Sequence, residues 1–238
     1  MDKPRVFISH HSTDISFAEK LRKELEKYGV NAFLAKYGDN GSDWRATIPE
    51  EIEKCHYFVV ILSDHYHRGA YTDHEFGMAV MSKRKIRVIN IDGTRAYGFI
   101  EKYHYRNISE IMDKADGSMF EAVNLIFHKD KEILLPFLLK GFCHSKSFDI
   151  TRLFNSRLER LDYKFDITEL NKIATAYINN HEIHDAVQIE YMMKILEKSL
   201  DKIKPELAVK IKNGFKCDWS SGHTVTPFYE NQNFLQND

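Results

Sequence analysis

Histidines are concentrated in two stretches of the N-terminal half, and the imidazole side chain is both a metal ligand and a proton carrier. The first stretch is His10-His11, and the second carries His65, His67 and His74. The spacing of these histidines fits no standard zinc pattern. We therefore predict that the protein has no metal site.

The sequence has three cysteines, Cys55, Cys143 and Cys217. Their number is odd, they are widely spaced and no CxxC pair occurs, so we expect reduced thiols and neither a disulfide framework nor a zinc ribbon. The P-loop, GxGxxG and GxSxG motifs are also missing from the sequence. These features argue against nucleoside triphosphate hydrolysis, Rossmann redox chemistry, serine hydrolysis and thiol redox chemistry.

The chain has 238 residues, with 34 basic and 35 acidic side chains, and 43% of the residues are hydrophobic. This composition is typical of a folded protein with one large or two small domains. The balanced charge argues against binding to nucleic acid or to anionic membranes. The longest apolar runs, 57–62 and 133–139, are far shorter than the ~20 residues of a membrane helix, and the N-terminus does not resemble a signal peptide. We therefore expect a cytoplasmic protein that does not enter a membrane.

Short β-type runs alternate with amphipathic helical stretches in the first half of the chain. Strands are predicted over residues 5–9, 30–35, 57–63 and 86–91, and helices over residues 15–28, 44–54 and 73–83. Repeated β-α units of this length predict a doubly wound parallel sheet that is covered by helices on both faces. Ligands bind beyond the carboxyl ends of the strands in such sheets, so the residues that directly follow each strand are the candidates for a site.

From about residue 118 onward, helical periodicity replaces the strand pattern. The segment Phe148-Asp-Ile-Thr-Arg-Leu153 recurs as Phe165-Asp-Ile-Thr-Glu-Leu170, and the Asp of each copy is predicted to cap a helix. Glu169 is placed to complete a capping box in the second copy. We predict antiparallel helices over residues 131–213 and an irregular tail with aromatic residues over 214–238.

Four segments of the first half occur in the order and at the spacing of a known family. They are Val6-Phe-Ile-Ser-His-His-Ser-Thr-Asp14, Gly41-Ser-Asp-Trp-Arg45, Phe58-Val-Val-Ile-Leu-Ser63 and Tyr71-Thr-Asp-His-Glu-Phe-Gly-Met-Ala79. Together they resemble the Toll/interleukin receptor (TIR) domain family over about residues 4–130. The resemblance implies an α/β fold, in which residues 1–130 form a flavodoxin-like TIR domain with a central parallel five-stranded sheet. An all-α C-terminal region is expected to follow this domain.

The TIR resemblance also implies an activity, because bacterial, plant and some animal members cleave NAD+ between nicotinamide and ribose. Their key residue is a Glu in the first turn of the helix after the third strand, four residues behind an aromatic residue. These positions are Glu75 and Tyr71 in this sequence. A carboxylate that binds the ribose hydroxyls would stabilise the positive charge that develops on the ribose carbon. A structural alternative is that Thr72-Asp-His-Glu75 forms a capping box at the start of the helix.

Other substrate contacts are expected around this Glu. Ser9, His10 and His11 follow the first strand, where family enzymes carry an aromatic residue and arginines; the two imidazoles are a departure from that pattern. Ser9 either lets the backbone approach the ligand or simply ends the strand. Trp44 either stacks on a ring of the substrate or anchors the second helix in the core. Asp39-Asn-Gly41 begins the loop that, in the family, borders the pocket and mediates self-association.

We predict a TIR protein of the bacterial NAD+-consuming type, an NAD+ hydrolase that acts in antiphage defence. NAD+ is its substrate, and no cofactor is expected. The TIR domain is expected to self-associate, and the helical region to control assembly or to receive a trigger, with a companion defence effector or sensor as a further partner. Three alternatives stay open: a cyclase that makes cyclic ADP-ribose, a non-enzymatic TIR adaptor or scaffold, and an N-ribosyl transferase that acts on nucleosides.

Overall fold

A computed structural model of the chain describes residues 3–35, 44–69, 71–103, 105–108 and 118–214. Side chains are described for these residues except Trp44, Arg45, Arg106 and Ser118. The chain divides into two compact units, Met1–Leu134 and Leu135–Asp238. The predicted boundary at residue 130, between the N-terminal domain and the helical region, stays a prediction.

The first unit is built on a sheet of five parallel strands in the order β2-β1-β3-β4-β5. The strands are β1 (Arg5–Ser9), β2 (Asn31–Leu34), β3 (Tyr57–Leu62), β4 (Lys85–Asn90) and β5 (Tyr105–Asn107). Every residue of β3 is buried, as expected for a central parallel strand that helices cover on both faces. The prediction of a flavodoxin-like five-stranded parallel sheet is confirmed.

Four α-helices and four short 3₁₀ helices accompany the sheet in the described part of this unit. The α-helices are α1 (Ile15–Lys27), α2 (Trp44–Lys54), α3 (Thr72–Met81) and α4 (Ser118–Ile126). The 3₁₀ helices are Ser12–Asp14, Tyr66–Arg68, Gly98–Lys102 and Lys131–Ile133. Helix α1 buries the apolar face that the sequence predicts, including Phe17, Leu21 and Leu25. Gly29 follows α1 with φ +76°, a left-handed conformation that suits glycine and directs the chain into β2.

The regular secondary structure in the described residues of the second unit is entirely helical, which confirms the predicted all-α region. Its helices are α5 (Leu135–Cys143), α6 (Phe148–Leu161), α7 (Ile167–Asn179), α8 (His181–His184), α9 (Glu190–Glu197) and α10 (Pro205–Gly214). None of the helices in the described parts of the chain is long and apolar enough to cross a membrane. The predicted tail lies outside the described residues from residue 215 onward.

The two copies of the repeat in the second unit begin their helices differently. Asp166 caps α7, and Glu169 completes the predicted capping box. The predicted cap at Asp149 is wrong, because the side chain of Ser147 accepts the hydrogen bond from the Ile150 amide and Asp149 lies inside the first turn of α6.

Candidate functional site

The strand order places a natural ligand site at the carboxyl ends of β1 and β3. The chain runs from β1 to β2 on one side of β1 and then crosses to β3 on the other side, so the topology reverses between β1 and β3. Open α/β sheets bind ligands at this point because the connections diverge and leave a crevice. Ser9 ends β1 opposite Val60 of β3, and Ser63 directly follows β3.

Glu75 reaches the end of β1 from the first turn of α3. Its side chain has no solvent exposure, and the hydroxyl of Ser9 donates a hydrogen bond of 2.6 Å to its Oε2 atom. A buried carboxylate needs such donors, because burial removes the water that would otherwise solvate it. The structure therefore brings together two of the predicted site residues, which are 66 positions apart in the sequence.

Tyr66 extends this contact into a chain of three side chains. Its hydroxyl lies 2.9 Å from the Ser9 hydroxyl, and its side chain is fully buried. Burial raises the pKa of Tyr66 well above its ordinary value, and the negative charge of Glu75 also raises it, while the hydrogen bond with Ser9 lowers it. The Tyr66 hydroxyl consequently stays protonated and can serve as a donor at neutral pH.

The start of α3 excludes the capping box that was the structural alternative for Glu75. The N-cap residue is Tyr71, and the Thr72 hydroxyl donates 2.6 Å to the carbonyl oxygen of Tyr66. The amide of Glu75 donates 2.9 Å to the carbonyl oxygen of Tyr71, as in any helical turn. Thr72 therefore fastens the 3₁₀ turn Tyr66–Arg68 to the helix and does not pair with Glu75.

Tyr71, the aromatic residue of the family motif, lies at the surface four residues before Glu75. Its side chain is 37% exposed, and it precedes Glu75 by one helical turn. Residues four apart lie on the same side of a helix, so Tyr71, the N-cap residue, adjoins the side of α3 that carries Glu75. This placement suits a ring that meets an aromatic ligand.

The two histidines after β1 differ in their surroundings. His10 is buried, and burial lowers its pKa below the ordinary value, so its imidazole is neutral at pH 7. His11 caps the 3₁₀ helix Ser12–Asp14 by accepting a hydrogen bond from the Thr13 amide at 3.3 Å. The ring of His11 lies 5.7 Å from the ring of His65, which follows β3. His11 and His65 thus form a partly exposed imidazole pair at the same edge of the sheet.

A second hydrogen-bonded contact joins the ends of β1 and β3. The Ser63 hydroxyl donates a hydrogen bond of 2.6 Å to the Asp14 carboxylate and accepts one of 3.2 Å from the His65 amide. Sequence reasoning did not identify this contact or Tyr66. The available signal was position alone, since Ser63 and Tyr66 lie in the segment that follows β3.

The remaining predictions concern Trp44 and the histidine cluster. Helix α2 begins at Trp44, but the Trp44 side chain and the start of the predicted loop, Asp39-Asn-Gly41, lie outside the described residues. In the cluster, Nδ1 of His67 lies 3.5 Å from Oδ1 of Asp73. No group of three metal-ligating side chains occurs among the residues that the structure describes.

The fold and site together define a flavodoxin-like α/β domain with a carboxylate at its topological switch point. Residues 6–122 match the family model of the TIR domain, and the N-terminal unit is therefore a TIR domain. A similar solved structure is the TIR domain of the Toll-related receptor TRR-2 from the lower metazoan Hydra magnipapillata, with 15% identity and a TM-score of 0.43. That match covers 54% of this chain and 96% of the Hydra chain. No curated protein matches the chain.

Proposed function

We propose that this TIR protein is an NAD+ hydrolase that cleaves the bond between nicotinamide and ribose. The observation that carries the proposal is the Glu75 carboxylate, which accepts a hydrogen bond from Ser9 at the switch point of the sheet and does not form the alternative capping box with Thr72. A carboxylate kept inside a protein next to a ligand-binding edge is typical of a functional group.

The chemistry needs a negative charge close to the ribose. When the bond between the ribose C1′ atom and nicotinamide breaks, the bonding electron pair leaves with nicotinamide and positive charge develops on the sugar. Glu75 would stabilise this oxocarbenium ion while it binds the ribose hydroxyls. Water then attacks C1′ and releases a proton to solvent, and the product is ADP-ribose.

The full burial of Glu75 adds a requirement to this proposal. Its side chain has 0% exposure, so NAD+ reaches the carboxylate only after neighbouring side chains move. Self-association of TIR domains is the event that we propose for this opening. The protein would then be inactive as a dilute monomer and active when assembled, as suits an antiphage defence protein that must not deplete NAD+ in healthy cells.

The test is incubation of the purified full chain with NAD+, at several protein concentrations and with a crowding agent, followed by mass spectrometry of the products. Nicotinamide with ADP-ribose supports the hydrolase, whereas nicotinamide with cyclic ADP-ribose indicates the cyclase. Intact NAD+ under all conditions would contradict the proposal and favour an adaptor.

The matched variants are Glu75→Gln and Glu24→Gln. We expect Glu75→Gln to reduce NAD+ cleavage at least ~100-fold, the scale of one lost transition-state partner. Glu24 is also buried but lies on α1 with Lys27 as its ion-pair partner, so Glu24→Gln is expected to retain activity. Circular dichroism checks that both variants are folded. Activity of Glu75→Gln within a few fold of the unaltered protein would remove Glu75 from the mechanism.

A further inference from the structure

Tyr66 is a buried polar group for which the proposed mechanism has no direct use. Its ring belongs to the core of the first unit, together with Phe58 and Phe76, and the whole residue is 0% exposed. The core explains the ring but not the hydroxyl, because a phenylalanine would fill nearly the same space without burying a polar atom. The hydroxyl therefore has to be explained by the groups around it.

The direction of the hydrogen bonds follows from the protons that are available. An ionised carboxylate only accepts, so the single Ser9 proton is used in the 2.6 Å contact with Glu75. The 2.9 Å contact between Ser9 and Tyr66 must then use the Tyr66 proton, with the Ser9 oxygen as acceptor. The carbonyl oxygen of Thr72 lies farther from the Tyr66 hydroxyl, at 3.4 Å. Tyr66, Ser9 and Glu75 thus form a directed chain that ends on the carboxylate.

This hydrogen-bonded chain links three separate elements: the 3₁₀ turn after β3, the last residue of β1 and the first turn of α3. A serine hydroxyl on its own rotates freely, and its proton can point to any nearby acceptor. When the Tyr66 hydroxyl donates a hydrogen bond to the Ser9 oxygen, the Ser9 proton stays directed to Glu75. Hydrogen bonds in series also strengthen each other.

We propose that Tyr66 is a positioning residue that acts through Ser9 to orient the Glu75 carboxylate and to support its charge. The proposal rests on the function assigned to Glu75 above and adds a residue that touches no substrate. Since Tyr66 acts only through Ser9, its hydroxyl matters only while the Ser9 hydroxyl is present.

A double-mutant cycle on NAD+ turnover tests this dependence. In the full chain, Tyr66→Phe is expected to lower kcat about tenfold, the scale of one hydrogen bond in a chain that ends on a charge. KM is expected to stay within about twofold, because the hydroxyl does not contact substrate. In a Ser9→Ala background, the same Tyr66→Phe change is expected to lower kcat by less than about twofold. An equal loss in both backgrounds would overturn the proposal and assign the effect to the Thr72 carbonyl or to packing.

Tyr57→Phe is the matched control. Tyr57 is a buried tyrosine at the amino end of β3, and its hydroxyl contacts Lys85 instead of the site. Loss of this hydroxyl is expected to leave kcat unchanged. If Ser9→Ala does not fold, Ser9→Cys removes the strong donor with a smaller change of shape and completes the cycle.

A second readout separates this proposal from the proposed function. The free energy of unfolding is measured for the same variants and for Tyr66→Phe combined with Glu75→Gln. We expect the destabilisation by Tyr66→Phe to be smaller when Ser9 or Glu75 is already changed, whether or not NAD+ is cleaved. If this coupling is observed in a protein that does not turn over NAD+, the proposed function is refuted and the hydrogen-bonded chain of Tyr66, Ser9 and Glu75 is retained. Additive changes in the free energy of unfolding would overturn the hydrogen-bonded chain itself.

Discussion

At the scale of single residues, the main feature is a carboxyl group that the protein keeps out of water. Burial of an ionised carboxylate is unfavourable unless hydrogen bonds and positive charge replace its hydration. Glu75 has the Ser9 hydroxyl as a donor, and its place in the first turn of α3 puts it near the positive end of the helix dipole. These two contributions favour the anionic carboxylate that the proposed chemistry requires.

The exposed ring of Tyr71 gives a second test at this scale. If it stacks on the substrate, Tyr71→Ala is expected to lower kcat/KM about tenfold, whereas Tyr71→Phe is expected to change it by less than about twofold, because stacking depends on the ring. The corresponding pair at Trp44 tests the other predicted aromatic contact. Steady-state kinetics of the four variants decide the question. Equal losses in the alanine and phenylalanine variants would contradict a stacking role.

Two cysteines are expected to be poor nucleophiles in the folded protein. Burial raises the pKa of Cys55 and of Cys143 to about 11 each. A higher pKa means less thiolate, so only about one thiol in a thousand is ionised at pH 8, and thiolate is the reactive form.

The measurement is the rate of modification by an aromatic disulfide reagent, in a Cys217→Ser variant that removes the cysteine outside the described residues. We expect both thiols to react at least ~100-fold more slowly in buffer at pH 8 than in urea. Rapid modification of the native protein would show that these thiols are exposed.

Sequence reasoning identified the catalytic candidate, Glu75, but not the Tyr66 hydroxyl, which is joined to it through Ser9 in the hydrogen-bonded chain. Glu75 and Tyr71 lie in one short motif, so their relation can be read locally. Tyr66 is 57 positions from Ser9, and an aromatic residue after an apolar strand is usually part of the core. Only the folded sheet shows that its hydroxyl faces the end of β1.

At the scale of elements, the predicted strands and helices agree with the structure where the apolar pattern is strong. Strand β1 has the predicted bounds, and α2 also begins and ends where predicted. Strand β5 (Tyr105–Asn107) has only three residues and no apolar run, so its position was not predicted. It forms because β4 offers an open edge with which it pairs.

The two repeat copies allow a prediction about helix caps. The Asp166 side chain accepts 2.8 Å from the Glu169 amide, so Asp166→Ala is expected to destabilise the protein by about 1 kcal/mol. Ser147→Ala removes the cap of α6 and is expected to cost about as much. Asp149 occupies the equivalent sequence position but caps nothing, and its contact with Arg152 is largely exposed, so Asp149→Ala is the matched control with little effect.

Urea unfolding followed by circular dichroism provides the comparison of these three variants. A large loss with Asp149→Ala and none with Ser147→Ala would show that the repeat, and not the observed cap, determines where α6 begins. The sequence alone favours Asp149 because of its likeness to Asp166. The structure favours Ser147 because the chain enters the helix two residues earlier.

At the scale of the whole molecule, the predicted site residues all lie in the first unit. Ser9, His10, His11, Trp44, Tyr71 and Glu75 precede Leu134, where the first unit ends. The unit must extend at least to Asp130, because the Asp130 carboxylate accepts a hydrogen bond of 2.9 Å from Lys85 at the start of β4. None of the predicted chemistry involves the helical unit, and we therefore expect that unit to control activity without forming the pocket.

A truncated chain of residues 1–134 tests this division of labour. It contains the complete sheet and the Asp130 contact, so we expect it to fold with a cooperative unfolding transition and to bind NAD+ weakly. If the helical unit controls assembly, NAD+ turnover by the truncated and full chains will depend differently on protein concentration. Turnover is measured over a wide concentration range for both proteins, and light scattering gives their oligomeric states.

Glu75→Gln in each protein is the control that shows how much of the NAD+ turnover depends on the proposed site. Identical turnover curves with identical oligomeric states would contradict a controlling role for the helical unit, and a truncated chain that does not fold would show that the sheet depends on the helices after Leu134.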